Sequence, residues 1–110
     1  MVMRTNTNKD IQLIIETILK NIDAKFIYLF GSYAYGIPNE NSDIDVYVVL
    51  PDKYGNTTEI YAKIISELGN NNIFFIDLFL APEKIFNLRK NNYNFENTII
   101  SKGKVLYESK

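Results

Sequence analysis

The chain contains no cysteine and no histidine. The first absence excludes a disulfide framework and a thiolate metal site. The second excludes histidine-based acid–base catalysis, a Ser-His triad and the common zinc sites. Chemistry on this chain therefore falls to carboxylates, hydroxyls, lysine, arginine or a borrowed metal. An excess of charge is missing too: 12 basic against 13 acidic side chains leave a net −1. A domain that grips a long polyanion usually carries a basic face. Nothing in this balance demands one, so no direct nucleic-acid binding is expected. The first ten residues, Met1 to Asp10, are polar and lack the apolar centre of a signal peptide. No window reaches membrane-spanning length. The expectation is a cytoplasmic protein without a membrane partner. Asn56-Thr57-Thr58 has the form of a glycosylation sequon but, without secretion, reads as solvated loop.

What is present is apolar and aromatic. Hydrophobic residues make up 46% of 110 positions, with eight tyrosines and seven phenylalanines. That suits one domain over residues 1–110 with a real core. Ile11, Ile14, Ile15, Ile18, Leu19 and Ile22 recur at helical spacing, which predicts a helix over 9–22, with a capping box from Thr7 to Asp10. KFIYLF (25–30) and IDVYVVL (44–50) read as buried strands ending at Gly31 and Pro51. After a loop over 52–57, Ile60, Ile64, Ile65 and Leu68 mark a second helix stopped by Gly69, and Asn70 to Asn72 a turn. IFFIDLFL (73–80) is a third strand. Ala81-Pro82-Glu83 opens another helix with proline in its first position. A last helix over 94–102 stops at Gly103 and leaves VLY (105–107) as an edge strand. Alternation of this kind predicts an α/β layer structure with helices on a small sheet.

Three features point to chemistry. Asp43 and Asp45 stand one residue apart where the second strand starts, so their side chains share a side. Alone, such a pair reads as a solvated strand start. It also suits a hard divalent cation shared with substrate phosphates. Asp77 shifts the balance, because a carboxylate inside IFFI-D-LFL is costly unless it is paired or metal-bound. Gly31-Ser32 ends the first strand. Alone it is an ordinary turn, yet a glycine turn with a hydroxyl can also bring backbone N–H groups to phosphate oxygens. Tyr33, Tyr35 and Ile37 read as packing residues.

Together, Gly31-Ser32, a gap of ten residues, Asp43-x-Asp45 and a further strand aspartate 32 residues on resemble the nucleotidyltransferase superfamily of DNA polymerase β. The short GS-x10-DxD form is similar to the minimal nucleotidyltransferases (MNT), antitoxins of HEPN–MNT toxin–antitoxin pairs. The likeness extends to the final IISKGKVLYE. It implies a mixed sheet of three to four strands flanked by helices. It also implies that Asp43, Asp45 and Asp77 are catalytic and hold Mg²⁺ on ATP, with Asp77 helping to deprotonate the acceptor, and that Gly31 and Ser32 hold the β- and γ-phosphates. The implied reaction moves AMP from ATP to a tyrosine hydroxyl of a HEPN ribonuclease toxin, silencing it. Two alternatives stand beside it: neutralisation of the toxin by binding alone, and transfer to a small molecule such as an aminoglycoside. The chain departs from the frequent GSYARG pattern in carrying Tyr35 at the arginine position.

Overall fold

The computed structural model describes residues 7–36, 42–92 and 94–109. Four strands form one mixed sheet: β1 (Phe26–Phe30), β2 (Ile44–Leu50), β3 (Ile76–Pro82) and β4 (Lys104–Glu108), in the spatial order β3-β2-β1-β4. β1 lies antiparallel to β2 and β4, whereas β2 and β3 run parallel. A parallel pair needs a crossover, and helix α3 (Thr58–Asn70) supplies it. The other helices are α1 (Thr7–Asn21), the single turn α2 (Ser32–Tyr35), α4 (Glu83–Arg89) and α5 (Phe95–Lys102).

Strand alternation sorts the core into two unlike halves. Ile27 and Leu29 of β1, Ile44, Val46, Val48 and Leu50 of β2, and Leu78 of β3 share one buried cluster with Ile14 and Ile18 of α1 and Ile64 and Leu68 of α3. The opposite face is aromatic, with Tyr28, Phe30, Tyr47 and Val49 packed with Phe86 of α4 and Ile99 of α5. The aliphatic stripes of α1 and α3 therefore meet the aliphatic sheet face, as their helical spacing predicts. Full burial of one such isoleucine contributes about 1.5–3 kcal/mol. Lys20 and Asn21 of α1 both bond Glu67 of α3, at 2.9 and 3.3 Å.

Element limits differ from the sequence expectation where pairing decides them. α1 begins at Thr7 and ends at Asn21, and the Thr7 side chain of the expected capping box lies outside the described residues. α3 runs one residue past Gly69. The 52–57 loop contains a 3₁₀ turn, Asp52–Tyr54. β3 starts at Ile76 rather than at 73, because its partner β2 starts at Ile44 and the register opens Ile44↔Ile76. Ile73 instead turns into the core after left-handed Asn72, with its N–H bonded to the Leu68 carbonyl at 2.9 Å. β3 also runs on to Pro82, opposite Leu50. Pro82 thus caps α4 from outside instead of opening its first turn. The edge strand at the C-terminal end forms as expected, on the open side of β1. Among the described residues, no helix is long and apolar enough to cross a membrane.

Candidate functional site

The sheet brings the sequence candidates to one of its ends. Where β1 stops and β2 and β3 start, Phe30 lies opposite Asp45, and Asp45 lies beside Asp77 across the parallel pair. All three belong to the aromatic face, since Asp45 alternates with buried Ile44 and Val46, and Asp77 with Ile76 and Leu78. Asp43 precedes β2, near enough for its charge to act on Asp45.

Crowding of like charge shows in Asp45. Its carboxyl is pushed up to about 6, first by burial, then by a hydrogen bond shared with Asp77 and by the charges of Asp77 and Asp43. Two carboxyl groups held this close form a position that a divalent cation can occupy, and oxygen donors suit Mg²⁺. The donor set of Asp45 and Asp77 fits such an ion in its chemistry. Among the described residues, no group of three acidic side chains is gathered to hold a metal as it stands.

Gly31 closes the site from β1. Its backbone is in a region that only glycine occupies freely (φ 72°, ψ −155°). A Cβ there would overlap the Asp45 carboxylate oxygen Oδ2. One glycine thus makes both the turn and the close approach. Ser32 then opens α2, whose single turn is tied back by Ala34 and Tyr35 N–H groups to the Gly31 carbonyl at 3.0 and 3.1 Å. Tyr33 packs against the aliphatic core as expected. Tyr35 does not: it is 48% exposed at the end of a one-turn helix. Ile37 lies outside the described residues.

Sequence reasoning missed the surroundings of the acids. Two residues along from Asp45 and Asp77 on the same face are Tyr47 and Phe79, whose rings stack at 6.5 Å with 18° between their planes. Phe95, opening α5, meets Phe30, Tyr47 and Phe79 edge-on, with centroids at 5.0, 5.7 and 5.3 Å. The next residue, Glu96, is buried. It accepts from the Tyr47 hydroxyl at 3.0 Å and from Arg89 Nε at 2.8 Å. Burial pushes the Glu96 carboxyl up, but bonds from Arg89, backbone N–H and Tyr47 outweigh it and hold the group below its ordinary range. Burial, followed by the Glu96 bond and charge, pushes the Tyr47 hydroxyl up. The available signal was the period-two spacing of Asp77 and Phe79. Nothing local announces Glu96.

Residues 12–110 match the family Polymerase beta, Nucleotidyltransferase. The chain belongs to this nucleotidyltransferase family. Two relatives are named protein adenylyltransferases. MJ0604 of Methanocaldococcus jannaschii, a candidate by its name, is 34% identical over 76% of this nucleotidyltransferase and 78% of its own length. MntA of Shewanella oneidensis is 39% identical over 66% of this chain and about half of its own length, 51%. A crystal structure of a toxin–antitoxin with AMP-PNP superposes with a TM-score of 0.66 at 26% identity, over 94% of this chain and 74% of the other. A complex of tri-AMPylated Shewanella oneidensis HEPN toxin with MNT antitoxin shares the fold, with a TM-score of 0.57 at 22% identity over 93% and 72% of the two chains.

Proposed function

We infer that this nucleotidyltransferase transfers AMP from ATP to a tyrosine hydroxyl of a HEPN ribonuclease toxin, and so acts as its antitoxin. The observation that carries the reading is the meeting of Asp45 and Asp77 beside Gly31 at one end of the sheet. The adenylyltransferase names of the relatives and the HEPN toxin complexes support the acceptor class.

In this reading Asp43, Asp45 and Asp77 would hold Mg²⁺, which would supply positive charge beside the ATP phosphates. Gly31 and Ser32 hold the β- and γ-phosphates. The tyrosine oxygen attacks the α-phosphorus and forms a new P–O bond. The bond from the α-phosphorus to the bridging oxygen breaks, and its electron pair leaves with pyrophosphate. The hydroxyl proton passes to the Asp77 carboxylate. The chain works as one domain in the cytoplasm, where ATP and Mg²⁺ are at hand, and its balanced charge supports recognition of a protein rather than a nucleic acid.

Incubation with labelled ATP, Mg²⁺ and the cognate HEPN toxin is expected to label the toxin. Asp43→Asn and Asp45→Asn are each expected to lose at least 100-fold in rate, the order seen when one preorganised charge-stabilising group is removed. Undiminished labelling by both variants overturns the site. Half-exposed Tyr35 at the usual arginine position favours one second reading, neutralisation by binding with a weakened active site. In that case the aspartate variants still protect cells from the toxin.

A further inference from the structure

Beside the acids, the sheet face stays open where it is aromatic. Phe79 is 44% and Phe95 39% exposed, while Phe30 and Tyr47 beneath them are buried. Scattered surface aromatics are common. These two are not scattered: they touch each other, and Phe79 also meets Phe30 at 5.7 Å. Rings held from several sides have little freedom left to lose when a ligand arrives.

Their position relative to the acids is specific. Asp77 and Phe79 are successive same-face residues of β3, about 7 Å apart along a strand. Rings in offset or edge contact keep centroids about 4.5–7 Å apart. A ring whose hydroxyl reaches Asp77 can therefore lie over Phe79. The strand order β3-β2-β1 puts Gly31, at the end of β1, about 10 Å away on the other side of the acids. With phosphates at Gly31-Ser32, the side of Phe79, on the outermost strand β3 of the described sheet, offers the acceptor a place.

We propose that Phe79, backed by Phe95, is the acceptor platform of this enzyme and selects an aromatic hydroxyl over an aliphatic one by ring contact. This rests on the adenylyl-transfer reading above and gives its acceptor a place. It assigns Phe79 a binding role, with the transfer step itself unchanged.

Two experiments test it. In aromatic ¹³C–¹H spectra of the protein with Mg²⁺ and the α,β-methylene analogue of ATP, N-acetyl-tyrosinamide is expected to shift the Phe79 and Phe95 rings. N-acetyl-serinamide is expected to leave them in place. Ring shifts produced by the analogue alone would make this a nucleobase platform and overturn the proposal, as would no shift with tyrosinamide. Phe79→Ala and the bulkier Phe79→Leu are then compared for transfer to the HEPN toxin. The expected result is a KM for toxin about tenfold higher, with kcat and analogue affinity kept, and rescue by Phe79→Tyr. An unchanged KM in both variants overturns the platform. If wild-type protein labels no HEPN toxin while tyrosinamide still shifts the rings, the antitoxin reading falls and the platform stands.

Discussion

Gly31 and Asp45 are packed so closely that no side chain fits between the turn and the carboxylate. The turn that ends β1 and the acid that opens β2 form one unit, because Phe30 and Asp45 are paired across the antiparallel ladder.

Gly31→Ala tests that unit. The new methyl overlaps Asp45 Oδ2 and the backbone leaves its glycine-only region. The expected loss is about 1–3 kcal/mol of stability, a fall in Tm of several degrees. AMP transfer should drop further than folding explains. Thermal melts beside transfer rates measure both, and a variant with wild-type Tm and rate refutes the coupling.

The raised Asp45 carboxyl sets a pH dependence without metal. Its folded value is about 6, against roughly 3.9 in an unfolded chain. Between these values the folded state binds more protons than the unfolded one. Stability therefore falls as pH rises from about 4 to 6 and is level above. Because the group is partly solvated, about 1 kcal/mol is expected after solvent screening. Urea melts from pH 4 to 7.5 should show this slope in the difference between wild type and Asp45→Asn, because the lowered Glu67 and Glu96 carboxyls, present in both, act in the opposite sense.

Glu96 anchors α5 to the sheet through Tyr47 and to α4 through Arg89. Glu96→Ala orphans a buried hydroxyl and is expected to cost about 1–3 kcal/mol. Glu96→Gln keeps an acceptor for Tyr47 and should cost less. Denaturant midpoints of the two variants decide it. Equal, negligible losses would mean the network holds nothing.

Tyr35→Arg places an arginine at a half-exposed position where the family resemblance leads one to expect it. Stability is expected to stay within about 0.5 kcal/mol of wild type. Affinity for an ATP analogue or for toxin should rise several-fold. Titration calorimetry with each ligand shows which contact arginine makes, and no gain with either leaves Tyr35 without a functional consequence.

Local pattern was enough for most elements. The stripe through Ile14 and Ile18 announced α1, and IDVYVVL gave the limits of β2, because periodicity follows from which side must be buried. It misplaced the start of β3, since Ile73, Phe74 and Phe75 are as apolar as the strand proper. There a neighbour's length, not local preference, ends the ladder.

The sequence by itself determined the chemical inventory: no histidine or thiol, three aspartates and a Gly-Ser turn at telling intervals. It marked Asp77 as a costly charge inside an apolar strand, whereas the fold leaves that side chain exposed near the start of β3. Only the tertiary structure decided that β2 and β3 run parallel in a register that sets Asp45 beside Asp77, and that Phe79 and Phe95 border the pair. The physical reason is that strand order and register arise from packing between distant segments. A carboxylate's neighbours across a sheet, and the charge crowding they cause, are not encoded in its own stretch of chain.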